Sequence, residues 1–449
     1  MTPSHTMTPS HTTRSRGRLT RVEVRNYRNI AHAAVRLGDL TILVGPTGAG
    51  SSSFVDAIVF VSEALRYGLA IAFRRRGGIG AVRRRSRGHP YNLAVALRMA
   101  WPDGTFAEYA FDVAARSGER FEVWSERCHV QGFLEGPQGF ELRDGAPIGG
   151  SVPLGTSVPL GTSVPLGTSV PLPRRHPRDD LALRHVDGPP ALAAVRALLT
   201  SIGRYAPDPV RMREPVLPGD PREPLRPDAG NAASVLAAML GDSAQAVRSL
   251  TLRSTLARVA PGIVALDVAS FGAREALIAH HHDGVGGTWP FDAASLPDGV
   301  LRAFAHLLAL HQARLPAVVA LEEPESGLHP GATGALADAL LEASQRTQVL
   351  VTTHATAFLA HPGIGDDTFV VVGARQRSAM FEQPGFDQPG RGVRELARAA
   401  LTLPSGALAP LAIDQAGAQT ERAQGADSGS RPVSTAAPGR LDLADDPQS

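Results

Sequence analysis

Apolar positions change their spacing along this chain, and the order of the changes predicts an architecture. Arg21-Val22-Glu23-Val24-Arg25 alternates residue by residue, as a strand with one buried face does. Leu40-Thr41-Ile42-Leu43-Val44 is almost continuously apolar, the pattern of a strand covered on both faces. Phe54, Ile58, Val61 and Leu65 then recur at helical spacing. Alternation returns at Leu93, Val95, Leu97 and Met99, and again at Tyr109, Phe111 and Val113, across a Pro102-Asp103-Gly104 turn. With a third run around Val123 and Trp124, this predicts an antiparallel sheet of successive hairpins.

The second half predicts helices first. Residues 190–260 have a largely helical pattern, interrupted by a proline-rich link from Pro207 to Pro227. Ile263–Val268 and Ala276–His280 have strand patterns. Val300 to His311 is an amphipathic helix with Val300, Leu301, Phe304, Leu307 and Leu308 on one face. Ala317–Leu321 is a buried strand, Gly334–Ala343 a helix and Gln348–Thr352 another strand, an order that implies a parallel crossover unit.

Three stretches lack such periodicity. Residues 1–18 contain the hexamer MTPSHT twice and are expected to be a disordered leader. From Ser151 to Leu172, SVPL recurs four times at a six-residue period, too short and too proline-rich for a solenoid unit, so an extended loop is expected. Residues 412–449 are polar and charge-mixed, the composition of a disordered tail.

Composition narrows the class. With 43% hydrophobic and 20% charged residues the chain has an ordinary globular composition, and no apolar run is long enough to span a bilayer, so no membrane partner is expected. The single Cys128 excludes an intramolecular disulfide framework and fits a cytoplasmic location. A net charge of +2 does not by itself argue for nucleic acid, but all 45 basic residues are arginine, and two blocks, Arg74-Arg75-Arg76 and Arg83-Arg84-Arg85, surround glycines. Such blocks could contact phosphate, though a charge run is more often a solvated face.

Four stretches carry chemistry. Gly45-Pro46-Thr47-Gly48-Ala49-Gly50-Ser51-Ser52 lies between the buried strand and a helix, where a glycine-rich turn can aim backbone N–H groups at an anion. It follows the phosphate-loop pattern G-x-x-x-x-G-K-[ST] except that Ser51 stands at the lysine position. Ser52 occupies the position whose hydroxyl would bind Mg2+. Glu322 and Glu323 directly follow an apolar strand, where one acid can hold a metal's water shell and the next can deprotonate water. His354 ends the next strand. Pro297-Asp298-Gly299 opens the amphipathic helix, either as a capping turn or as an anion site facing a neighbour.

Together with Asn26-Tyr27-Arg28-Asn29, LVGPTGAGSSSFVDAI, SLPDGVLRAFAHLLAL, ALEEPESGLHP and VLVTTHATAFL, these stretches resemble the ABC-type ATPases of the SMC/RecF and OLD-like group, often labelled AAA-type ATP-binding proteins. The resemblance implies an α/β fold, a P-loop core of mixed, largely parallel sheet flanked by helices, with an antiparallel subdomain and a helical insert. It assigns residues 19–375 to the ATPase domain, with an insert at about 125–260, and leaves 376–411 as a C-terminal extension. It implies ATP and Mg2+ as ligands, Gly45 to Ser52 as phosphate loop, Ser52 and Glu322 at the metal, Glu323 as catalytic acid/base and His354 as switch histidine. Pro297-Asp298-Gly299 would be the signature turn that meets the nucleotide of the opposite protomer in a homodimer. It further implies a role in DNA repair or phage defence, with DNA and a separate effector protein as partners, since the residues after Val371 lack the size and acidic pattern of an appended nuclease. Two departures stand out: Ser51 for the loop lysine, and Pro297 for the serine that opens the signature. They leave a pseudo-ATPase as the alternative. No glutamine is placed as the group's Q-loop residue; Gln131 and Gln138 are candidates.

Overall fold

The helix Ser51–Tyr67 is buried almost all round: Phe54, Val55, Ala57, Ile58, Phe60 and Val61 are each at most 1% exposed. The sequence pattern predicts one apolar face, but the helix packs against strands of two separate sheets and has no wet side. The structure is a computed structural model that describes residues 17–85, 92–132, 138–148, 168–169, 177–186, 190–282, 285–375, 378–383 and 393–402. All of these lie in the chain's first compact unit, Met1–Ala407.

One sheet has six strands in the order Ile202–Tyr205, Val318–Glu322, Gln348–Thr353, Leu40–Val44, Phe369–Arg375 and Ser378–Glu382. The first five are mutually parallel, and Ser378–Glu382 closes the edge antiparallel to its neighbour. The crossover helix Thr333–Ser344 joins two neighbouring parallel strands, as the sequence predicts. Leu40–Val44 is buried at every residue, in keeping with its apolar run and central place.

The other large sheet is built from Arg18–Tyr27, Ile30–Arg36, Leu93–Ala100, Phe106–Ala115, Phe121–Gln131 and Gln138–Arg143, paired antiparallel. Tyr27, Phe60, Phe73 and Phe121 pass ring to ring at 5.9, 4.9 and 4.7 Å, tying this sheet to the central helix. At the sheets' adjoining edges Ala379 N–H donates to the Asn29 carbonyl at 3.0 Å, and the Gln383 amide exchanges two hydrogen bonds with the Arg36 backbone. A third sheet, Ile263–Phe271, Arg274–His282 and Thr288–Asp292, packs with the helices of the insert.

One expectation gains a detail and another needs correction. Residues 190–260 are largely helical, as expected, but Ile202–Tyr205 forms the edge strand of the parallel sheet between the helices Pro190–Thr200 and Pro209–Arg213. Four residues beside a proline-rich link are too few to show periodicity, and pairing with Val318–Leu321 decides their state. Order also begins before Leu19, since Gly17 is described and the first strand starts at Arg18, inside the expected leader. The hexamer repeat at the start and residues 412–449 lie outside the described residues. So does the SVPLGT stretch, apart from Thr168–Ser169, which pairs with Gln138–Gly139. Among the described residues no helix is long and apolar enough to cross a membrane.

Candidate functional site

The loop follows the central strand and its backbone is crowded. A side chain at Gly45 would place its Cβ 2.1 Å from the Val372 carbonyl oxygen, so only glycine fits. Gly48 and Gly50 have φ of 81° and 121°, in the region L-residues avoid. Ala49 N–H closes the turn on the Pro46 carbonyl at 3.0 Å. From the other sheet, the Asn29 amide donates to the Gly48 carbonyl at 3.1 Å. Ser51 and Ser52 begin the helix, Ser51 buried and Ser52 exposed. The loop therefore presents a helix N-terminus, the arrangement that suits an anion.

The neighbouring strand ends converge on it. Glu322 closes Val318–Glu322, and Glu323 has φ of 45°, an uncommon conformation for a non-glycine residue, with its N–H on the Thr352 carbonyl at 2.9 Å. His354 bridges the two halves: Nε2 lies 3.0 Å from Glu323 Oε1, and Nδ1 bonds the Gly45 carbonyl. Gly45, Glu323 and His354 thus share one hydrogen-bonded chain across three strand ends. Gln131 and Gln138 lie on strands of the antiparallel sheet, outside that chain.

Sequence reasoning assigned no role to three further groups. Glu325 is largely buried and accepts from Thr353 Oγ1 at 2.5 Å and from His354 N–H at 3.2 Å. Burial pushes its carboxyl above the usual carboxylate range, against those bonds. Asp56, one turn beyond Ser52 on the central helix, accepts from the Tyr27 hydroxyl at 2.6 Å and from Arg76 Nε at 3.0 Å, and pairs with Arg28 at 2.9 Å. Burial opposes its ionisation, but Arg76 and the Tyr27 hydroxyl outweigh that and hold its carboxyl below the ordinary value. Arg204, on the edge strand, donates Nε to Glu322 Oε1 at 2.6 Å and stands 3.7 Å from Asp56 Oδ1. Glu325 was visible in the EEPE cluster, but Asp56 and Arg204 stand alone in the sequence, and nothing local pairs Arg204 with Glu322.

The turn Pro297-Asp298-Gly299 is held by contacts of its own. Its Gly299 abuts Gly327, where a Cβ would come within 2.1 Å of the Gly327 carbonyl oxygen, and Arg213 donates to Asp298 Oδ1 at 2.6 Å and to the Leu296 carbonyl at 2.7 Å. Asp298 is thus paired with Arg213 within the chain. The contacts of Pro297-Asp298-Gly299 described within the chain are not with Gly45 to Ser52.

A glycine-rich loop between a central parallel strand and a helix, with paired acids ending the second strand over, defines a P-loop-type α/β fold. Residues 176–360 match the family described as "AAA domain, putative AbiEii toxin, Type IV TA system". The match spans the edge strand, the signature turn, both acids and His354, and begins after the loop. Among solved structures the chain is similar to the SmcHead bound to the C-winged helix domain of ScpA, at 14% identity over 82% of this chain and 98% of that one, with a TM-score of 0.48. It is also similar to the SMC head domain from Thermotoga maritima, at 13% identity over 82% and 98% with a TM-score of 0.40. A third likeness is to the Smc head domain from Pyrococcus furiosus bound to the C-terminal domain of ScpA, at 13% identity over 82% and 96% with a TM-score of 0.47. No curated protein matches the chain.

Proposed function

We propose that the chain binds ATP with Mg2+ at Gly45 to Ser52 and hydrolyses it slowly as a nucleotide-dependent homodimer. The observation that carries this is the His354 ring held between the Gly45 carbonyl and the Glu323 carboxylate. The Ser52 hydroxyl and Glu322 carboxylate are oxygen donors of the kind Mg2+ takes, and they are the residues that would hold it. When bound, Mg2+ neutralises charge on the phosphates. The loop N–H groups and the helix end bind the phosphates, Glu323 takes the proton of the attacking water, and His354 keeps Glu323 registered to the loop. Pro297-Asp298-Gly299 faces a second copy of the chain.

A second reading, a pseudo-ATPase that binds without turning over, is favoured by Ser51. One missing cation at the transferring group is worth about 3–4 kcal/mol of transition-state stabilisation, by analogy with one deleted oxyanion donor. Nucleotide binding and turnover by the purified chain, with and without DNA, test both readings. Turnover is expected to be measurable and to rise by about 100-fold or more in Ser51→Lys. Binding with no turnover in the wild type and strong turnover in Ser51→Lys establishes the pseudo-ATPase instead. A role in DNA repair or defence beside a separate effector protein fits the arginine-rich stretch. Part of that stretch is consumed internally, since Arg76 is bound to Asp56 and Glu63, and Arg75 covers the Tyr67 ring at 4.4 Å. Stimulation of turnover by DNA is the outcome that keeps DNA as a partner.

A further inference from the structure

The chain contains no lysine, so any cation serving the loop in place of Ser51 is an arginine from another element. Three arginines gather around Asp56, and their surroundings separate them. Arg76 has a side chain only 6% exposed and is held by both Asp56 and Glu63, an arrangement that fixes the helix and leaves nothing to offer a ligand. Arg28, 40% exposed, pairs with Asp56 and lies over the Tyr27 ring at 6.0 Å, with no described contact to Glu322. Arg204 is 32% exposed and is the one that reaches Glu322, the acid placed at the metal. Its strand runs parallel to Val318–Glu322 with Arg204 opposite Ala320, so the side chain covers two residues' distance toward the carboxyl end, where the loop lies. Burial works against its charge, yet Glu322 and Asp56 more than restore it.

We propose that Arg204 is the resident cation of this site, and that ATP binding depends on its guanidinium and only weakly on Mg2+. The inference rests on the ATP-binding reading above. Glu322 Oε1 is already engaged by Arg204 Nε at 2.6 Å, and a carboxylate sharing its charge with a guanidinium draws a divalent ion less strongly. The same guanidinium has further N–H donors in a planar fork, a shape that suits phosphate oxygens. One side chain thereby weakens the site's need for a metal and supplies part of the charge that Ser51 lacks.

Binding of a fluorescent ATP analogue to the full chain, in Mg2+ and in EDTA, tests this. For the wild type the two dissociation constants are expected to agree within about threefold, while Arg204→Gln weakens binding in EDTA by about tenfold or more and regains much of it with Mg2+. Arg204→Lys, which keeps a charge without the fork, is expected to fall between them, and thermal unfolding of each variant shows whether the fold is intact. If Arg204→Gln does not fold, the wild-type ratio decides alone. Wild-type binding that weakens tenfold or more in EDTA overturns the inference and leaves ATP binding standing, as does a folded Arg204→Gln indistinguishable from wild type in both conditions. Absence of binding by the wild type in either condition overturns both.

Discussion

Two large sheets pack on the same helix, Ser51–Tyr67, and they treat charge in opposite ways. In the parallel sheet the charged and polar groups of interest, Glu322, Thr353 and the residues just beyond them, stand where strands end. Because parallel strands all end at one edge, five of them deliver their terminal residues to a single place. In the antiparallel sheet, charge is carried in mid-strand and cancelled across the ladder. Glu108 is bound by Arg98 at 3.0 Å and by Arg127 at 2.8 Å, and the buried Glu126 accepts from the Tyr109 hydroxyl at 2.9 Å and Leu183 N–H at 2.9 Å. Alternating strand directions scatter strand ends to both edges, so no comparable convergence arises. One sheet concentrates chemistry; the other neutralises charge to make a rigid backing.

The contrast makes separable predictions. Glu323→Gln changes a half-exposed side chain at a strand end, and is expected to lower turnover by about 100-fold or more without moving the unfolding midpoint. Turnover that survives the change removes Glu323 as base. Asp56→Ala is expected to blur the contrast, since Asp56 holds Tyr27 of the antiparallel sheet and Arg76 at once, and stands within 3.7 Å of Arg204. Leaving the buried Arg76 without this partner costs about 3–5 kcal/mol, to be read as a lowered denaturant midpoint. Unchanged stability would mean that Glu63 alone satisfies Arg76.

A smaller effect belongs to the antiparallel sheet alone. Burial raises the Glu126 carboxyl to about 7, against hydrogen bonds from Leu183 N–H, Ala182 N–H and the Tyr109 hydroxyl. The folded value lies above the unfolded one, so this group's stabilising contribution is complete below about 4.5 and is lost as pH rises through about 7. Glu126→Gln is expected to flatten the stability–pH curve across that window and to leave turnover alone. A slope in that window that persists in the variant would assign it to another group.

Most of the loop's surroundings were legible because their signals are local. The almost wholly apolar run Leu40 to Val44 before Gly45, glycines that must tolerate φ of 81° and 121°, and two acids behind Leu321 each declare themselves within a few residues. What stayed hidden depends on the second sheet or on distant pairing. The helix after the loop was expected to be one-sided because sequence cannot count the layers around it. The strand Ile202–Tyr205 is too short to show a period, and with it went Arg204, whose partner lies 118 residues away. His354 was placed by its strand, but its bond to the Gly45 carbonyl, 309 residues back, is a product of the parallel order alone.

The finest test lies where the two sheets meet at the loop. Asn29 belongs to the turn between two antiparallel strands, yet its amide donates to the Gly48 carbonyl at 3.1 Å, beside the glycine with the loop's open flank. The contact is partly exposed, and one such neutral hydrogen bond contributes about 0.5–1.5 kcal/mol. If the antiparallel sheet is only a backing, Asn29→Ala lowers stability by that small amount and leaves nucleotide affinity unchanged. If it also shapes the phosphate cradle, affinity falls by about 2–10-fold, a loss of the same free energy expressed in binding. We expect the second outcome, because nothing stands within 4 Å of where a Gly48 Cβ would be, and the Asn29 amide is what holds the Gly48 carbonyl.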